Sequence, residues 1–109
     1  MKKAIWITYD LGVQGDYPGL YEFLDAHKAK ECGDSCAFLE FPVRKSLLPE
    51  LIRALRKQVR LKKSDRVYVI YRSDADKRLK GKFLSGGRKL QPPWSGYAMA
   101  DTGTEDSDG

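Results

Sequence analysis

The stretch Ala4-Ile5-Trp6-Ile7-Thr8-Tyr9 decides the fold, because it is the strongest strand signal in the chain. Its β-branched and aromatic residues favour extended backbone, and Asp10 ends the run. After a short loop, Asp16 is placed to cap a helix, and Pro18 fits the first turn of that helix. The apolar residues of the helix recur at the spacing of one helical face, namely Leu20, Phe23, Leu24 and His27.

Two further strands and a second helix follow. Gly33 is expected to end the first helix, and residues 35–41 alternate as a second strand. The second helix is predicted to begin at an N-cap, Ser46, and to bury the stripe Leu48, Leu51, Ile52, Leu55 and Val59. Residues 66–72 form the third strand. The order β-α-β-α-β over residues 4–72 predicts an α/β (α+β) sandwich with both helices on one face of a small sheet.

The alternation in the predicted strands leaves the other face of the sheet without a helix. That face shows Trp6, Thr8, Phe38, Glu40, Tyr68, Ile70 and Arg72. It is too apolar for open solvent, so we expect it to meet another protomer, a C-terminal strand or stacked bases.

The sequence beyond the core changes in composition. After a core of residues 1–72, residues 73–93 are basic and interrupted by glycine and proline, which indicates a long loop that is functional or flexible. Residues 94–100 contain Trp94-Ser95-Gly96-Tyr97 and are predicted to be a docking segment. Residues 101–109 have the composition of an acidic disordered tail.

The formal net charge of +5 is unevenly distributed along the chain. Residues 1–43 carry a net charge of −3, residues 44–91 carry +12 and residues 92–109 carry −4. This concentration of positive charge favours a polyanion, most often nucleic acid, although a basic loop can also meet an acidic protein. We predict backbone contacts to DNA or RNA by Arg53, Arg56, Lys57, Arg60, Lys62, Lys63, Lys77, Arg78, Lys80, Lys82, Arg88 and Lys89.

Length and cysteine usage exclude several protein classes. A chain of 109 residues forms one domain, and no apolar run approaches the roughly 20 residues that span a bilayer, so no membrane partner is expected. Cys32 and Cys36 are too few for a secreted disulfide scaffold or a zinc site, which predicts free, buried thiols and a cytoplasmic location. The single histidine, His27, is predicted to pack its ring at the boundary of the core and not to catalyse.

Asp10 is the candidate for catalysis. A carboxylate at the end of a strand projects into a loop mouth, where catalytic and metal-binding groups often lie. One carboxylate cannot hold Mg²⁺ alone, but a two-fold homodimer would supply a second Asp10, and Asp16 is close enough in sequence to join it. An Mg²⁺-dependent endonuclease that uses Asp10 from both protomers is therefore one alternative function. A protein-interaction module, whose basic loop meets an acidic protein, is the other. The simpler interpretation is that Asp10 hydrogen-bonds the loop that follows it.

Several short motifs, taken in order, resemble a known family. They are Ile5–Tyr9 with Asp10-Leu11, Gly15-Asp16-Tyr17, Leu20-Tyr21, Asp34-Ser35, the Asp65 turn and Trp94-Ser95-Gly96-Tyr97. The chain resembles the SinR-like group of small ferredoxin-like microbial proteins and, more distantly, the small CRISPR-associated protein of the spacer-acquisition complex. The resemblance implies a ferredoxin-like fold, a homodimer and an Asp10 pair near a divalent metal. It also implies either metal-dependent nuclease activity or a scaffold for double-stranded DNA.

Overall fold

The structure, a computed structural model, describes residues 1–98. Its elements are β1 (Lys2–Asp10), α1 (Tyr17–Ala26), β2 (Lys30–Glu31), β3 (Cys36–Pro42), α2 (Leu47–Gln58), β4 (Arg66–Arg72) and β5 (Leu79–Ser85). The strands form one antiparallel five-stranded sheet in the order β2-β3-β1-β4-β5. The predicted α+β class is confirmed, and the sheet has two more strands than the three predicted. Within residues 1–98, no helix is long and apolar enough to cross a bilayer.

The central strand β1 sets the two faces of the sheet. Ile7 lies between Ala37 of β3 and Val69 of β4, and all three side chains are buried. Leu20 of α1 and Leu51 of α2 belong to the same hydrophobic cluster. Both helices therefore cover one face, as predicted, and each fully buried Leu contributes about 1.5–3 kcal/mol relative to an exposed one.

The first helix is shorter than the sequence indicates. Asp16 caps it as predicted, because its carboxylate accepts a hydrogen bond from the Gly19 amide at 3.1 Å. The helix ends at Ala26, however, and not near Gly33. The cause is Lys28, whose φ of 55° is left-handed and turns the chain into the short strand β2.

The second helix begins at the predicted N-cap residue, but another side chain satisfies the backbone there. Ser46 occupies the N-cap position in extended backbone, and its own side chain makes no cap hydrogen bond. Instead the carboxylate of Glu50 reaches back over the first turn. It accepts hydrogen bonds from the backbone amides of Arg44, Lys45 and Ser46 at 2.8, 2.7 and 2.8 Å. These donors lower the pKa of Glu50 to about 2.

The segment 73–93, predicted to be a loop, contains the edge strand β5. A tight turn joins β4 to β5, in which the Ser73 amide donates to the Arg78 carbonyl at 2.8 Å. The first residues of β5 are leucine, lysine and glycine, a composition with low strand propensity, and its buried hydrophobic residue is Leu84. Pairing with β4 therefore makes this strand, and no local pattern predicts it.

The C-terminal part of the described chain stays on the surface. Trp94 and Tyr97 are 73% and 72% exposed, so neither ring is buried against the core of its own chain. Docking of residues 94–100 onto a partner remains a prediction. Residues 99–109 lie outside the described residues, and so does the acidic tail predicted for 101–109.

Candidate nucleic-acid interface

All twelve cations predicted to contact nucleic acid have exposed side chains, but they do not share one surface. They lie on or just after α2 (Arg53, Arg56, Lys57, Arg60), before β4 (Lys62, Lys63), after β4 (Lys77, Arg78), on β5 (Lys80, Lys82) and after β5 (Arg88, Lys89). The turns before and after β4 are separated by that strand, which is roughly 20 Å long. The basic segment of the sequence is therefore distributed around the molecule.

A smaller group of cations does converge on one cleft, which we call the cationic cleft. It has a volume of about 640 Å³ and lies between the N-terminal end of α2 and the neighbouring ends of β1 and β4. Basic side chains from four segments line it, namely Lys3, Arg44, Lys45, Arg72 and Lys82. Its floor includes the apolar side chains of Leu48 and Ile52. Four segments that are distant in sequence thus bring positive charge to one concave surface.

Of these five cations, sequence reasoning named only Lys82 as a contact residue. Arg44, Lys45 and Arg72 lie within the basic region 44–91 that it identified, whereas Lys3 lies outside that region. Lys3 lies in the acidic third of the chain, and its strand reaches the cleft because β1 is antiparallel to both β3 and β4. Arg44 and Lys45 lie just before α2, and this position in the sequence is itself a signal for anion binding. Basic residues just before a helix lie beside its free backbone amides, and both attract anions.

The acidic groups near the cationic cleft are already engaged. Asp74, the acid that lines the cleft, forms an ion pair with Lys3, and the hydrogen bond from Lys3 lowers the pKa of Asp74. Within the described residues, Arg44, Lys45 and Lys82 form no ion pair. Three exposed cations are therefore available to an external anion.

Asp10, the predicted catalytic residue, is exposed at the end of β1 and has a partner in its own chain. Its Oδ2 atom accepts a hydrogen bond from Nη2 of Arg66 at 2.9 Å. Asp16 does not join it, because its two oxygens accept from the amides of Gly19 and Arg60. No group of three or more His, Cys, Asp or Glu side chains suited to a metal occurs among residues 1–98. Pairing of two Asp10 residues across a dimer stays a prediction.

The loop after β1 is held by Asp65 and not by Asp10. Asp65 is fully buried, and its two oxygens accept hydrogen bonds from the amides of Gly12 at 3.1 Å and Lys62 at 2.7 Å. Its carbonyl accepts the Ser85 hydroxyl at 3.1 Å. Gly86 follows at a φ of +74°, and a side chain there would crowd the same carbonyl. The sequence indicated only a turn at Asp65, yet this residue joins three segments.

The face of the sheet opposite the helices, which we call the open face, carries the predicted aromatic residues and one more. The Trp6 ring centre lies 5.2 Å from that of Phe38, and the Tyr68 ring centre lies 4.8 Å from that of Phe83 on β5. A side chain at Gly81 would collide with the Tyr68 hydroxyl, so glycine lets the Tyr68 ring extend over β5. Phe83 was missed because β5 was not predicted.

The remaining candidate residues have structural roles. His27 packs as predicted, with its ring centre 4.5 Å from Phe23 and 5.3 Å from Phe41. Cys32 and Cys36 are free thiols, but Cys32 is exposed and Cys36 is only half-buried, so the prediction of buried thiols is wrong. The reason is that both flank the turn between the short edge strand β2 and β3. Burial is the main cause of the raised pKa of Cys36.

Comparison of the chain with protein families, curated proteins and solved structures finds no match.

Proposed function

We propose that this protein binds nucleic acid through the phosphate backbone, with the cationic cleft as the principal contact surface. The observation that carries the proposal is the convergence of Lys3, Arg44, Lys45, Arg72 and Lys82 on one cleft. Three of them, Arg44, Lys45 and Lys82, form no ion pair within the described residues, and such a concentration of positive charge is the electrostatic footprint of a polyanion partner. The residues that line the cleft supply cations and an apolar floor, but no helix that reads the edges of bases. Contacts to phosphate oxygens therefore account best for binding.

Binding at the cationic cleft follows from charge-assisted hydrogen bonds and counterion release. The side chains of Arg44 and Lys45 donate hydrogen bonds to phosphate oxygens. Their backbone amides stay hydrogen-bonded to the Glu50 carboxylate, and these bonds fix the backbone from which the two side chains extend. Each phosphate neutralised releases condensed counterions, so the affinity falls as the salt concentration rises. Asp74 does not compete, because Lys3 already pairs with it.

The proposal includes a ferredoxin-like fold and a homodimer. The order β2-β3-β1-β4, with α1 and α2 each connecting two strands and covering one face, supports a ferredoxin-like core to which β5 is added. The resemblance to the SinR-like group supports the same fold and the dimer. The edge strand β5 offers unpaired backbone groups through which two copies can associate.

The test compares two triple variants that remove the same charge. In one, Arg44, Lys45 and Lys82 of the cationic cleft become Ala. In the other, Arg56 and Lys57 of α2 and Arg60 just after it become Ala. We expect the cleft variant to reduce the slope of log affinity against log salt by about 2–3, as the loss of three phosphate contacts requires. The control variant is expected to keep nearly the wild-type slope. Fluorescence anisotropy with labelled oligonucleotides, at several salt concentrations, measures both.

The control group is chosen because sequence reasoning selected it as part of the interface. Equal losses in the two variants would contradict the proposal, since they would show a diffuse effect of net charge. Failure of the wild-type chain to bind any oligonucleotide at low salt would also contradict it. Thermal unfolding of both variants checks that the substitutions leave the fold intact.

A further inference from the structure

The open face presents a band made of two aromatic pairs, which together span four strands. In the antiparallel register, Trp6 of β1 stands opposite Phe38 of β3 and Ile70 of β4. Tyr68 of β4 stands opposite Phe83 of β5. The band therefore spans β3, β1, β4 and β5, with Thr8 and Ile70 between the two aromatic pairs, and Trp6 is 37% exposed. Both α1 and α2 lie on the opposite face, so neither helix covers it.

The cations around this band exceed the acids. Strand alternation and register place five basic residues on or beside the open face, namely Lys2, Lys30, Arg66, Arg72 and Arg88. The acids on the same face are Asp10 and Glu40, and Asp10 is already paired with Arg66. A second copy placed on this face would bring two positive surfaces together, which disfavours it as the occupant. The same charge attracts a polyanion.

Arg88 links the aromatic band to this positive charge. Its guanidinium carbon lies 6.0 Å from the Tyr68 ring centre and 5.7 Å from that of Phe83. A cation at this distance is attracted by both rings and is held at the surface of the sheet. Five donor groups of the guanidinium are thus kept beside a half-buried aromatic pair, where a phosphate oxygen or a base edge can accept.

We infer that the open face binds an unpaired nucleic-acid strand, with bases stacked on Trp6 and on the Tyr68–Phe83 pair. Bases in a duplex already stack on one another, so only unpaired bases can lie flat on protein rings. An aromatic surface on a sheet of four strands accommodates about two or three bases. The inference rests on the proposed function, because Arg72 lies both on the open face and in the cationic cleft, where the strand's phosphates continue.

The experiment uses the fluorescence of Trp6. In the full chain with Trp94→Phe, Trp6 is the single tryptophan, and titration with an unstructured oligothymidylate is expected to quench it. We expect Trp6→Leu to weaken binding of that strand about ten- to hundredfold, the range for loss of one stacked base, and Trp6→Phe to restore part of the affinity. Tyr21→Leu is the control, because Tyr21 is 53% exposed on α1 and therefore lies on the side of the sheet opposite the open face.

The results separate this inference from the proposed function. Loss of binding to the single strand but not to a duplex of the same length, on Trp6→Leu, supports the inference. Equal loss for both ligands, or no quenching of Trp6, overturns it and leaves the cationic cleft unaffected. If Trp6→Leu instead converts a dimer to a monomer in sedimentation equilibrium with unchanged affinity, a second copy occupies the open face and the inference is wrong. An unchanged salt slope in the cleft variant contradicts the proposed function alone.

Discussion

Glu50 shows how one side chain organises the entrance to a helix. Its carboxylate accepts three backbone hydrogen bonds from Arg44, Lys45 and Ser46, which lie before the first turn of α2. The arrangement resembles the acidic half of a capping box, in which a glutamate in the first turn satisfies amides that the helix cannot. All three of those amides belong to residues that line the cationic cleft. Glu50 therefore stabilises α2 and positions the cleft cations together.

We expect Glu50→Gln to lower stability at pH 7 and the difference from wild type to shrink in acid. The pKa of Glu50 is lowered from 4.5 to about 2 in the folded chain, chiefly by the backbone hydrogen bonds. The stabilising contribution is thus fully present above pH 4.5 and is lost as the pH falls from 4.5 towards 2. Urea unfolding followed by circular dichroism, at pH 7 and at several lower values, measures the difference.

Glu40→Gln removes the same charge from an exposed strand position and is the control for Glu50. A difference between wild type and Glu50→Gln that stays constant from pH 7 to pH 3 would contradict this role of the carboxylate. So would a loss of stability in Glu40→Gln as large as that in Glu50→Gln.

The elements of this fold are joined by a few contacts at the end of the sheet where β1 finishes and β4 begins. Asp65 precedes β4. Its carboxylate accepts hydrogen bonds from a backbone amide in the loop after β1 and from one in the turn after α2. Its backbone carbonyl also accepts a hydrogen bond from the hydroxyl of Ser85 at the end of β5. One buried carboxylate thus fixes the loop after β1 and the turn after α2 relative to the sheet. Its burial is possible because both oxygens are hydrogen-bonded.

Asp65→Ala is expected to lower the free energy of unfolding by about 1–3 kcal/mol. The reason is that two partly buried hydrogen bonds, those from the amides of Gly12 and Lys62, would lose their acceptor. Chemical denaturation monitored by tryptophan fluorescence gives the value. Asp25→Ala, which removes an exposed carboxylate from α1, is the control and is expected to change stability by less than about 0.5 kcal/mol. Equal effects of the two substitutions would show that Asp65 does not join these segments.

At the scale of the whole molecule, positive charge is arranged on two surfaces that meet at the end of β4. The cationic cleft lies at the N-terminal end of α2, and the open face lies on the other side of the sheet. Arg72 belongs to both. Asp10 and Arg66 form an exposed pair at the opposite end of β4, which contributes little to stability. A nucleic-acid strand on both surfaces would therefore meet few acids.

Asp10→Asn separates binding from nuclease activity. The substitution releases Arg66 from its ion pair on the open face and raises the net charge by one, so we expect affinity for a single strand to rise slightly. Binding is expected to be the same in Mg²⁺ and in a chelator at matched ionic strength. Gel shift and cleavage assays on one labelled strand measure both. Mg²⁺-dependent cleavage by wild type that Asp10→Asn abolishes would instead support the endonuclease, with two Asp10 residues paired in a homodimer.

Much of the fold follows from local pattern, and much of the candidate site does not. The alternation around Trp6 and the stripe that contains Leu51 indicate their buried faces directly, because strand and helix periods are properties of consecutive residues. The charge of residues 44–91 predicted a basic surface but not its location. Lys3 could not be found by that route, since its segment is acidic and only strand pairing brings it to the cleft.

By itself, the sequence determined the α+β class, the two helices, the three central strands and the aromatic side of the sheet, all of which depend on short-range periodicity. Only the tertiary structure decided that residues 79–85 are a strand, that Glu50 caps α2 and that Lys3 joins Arg44 at one cleft. The physical reason is the antiparallel sheet. Its hydrogen bonds join segments that are distant along the chain, and the proximity they create is not encoded in any local stretch of residues.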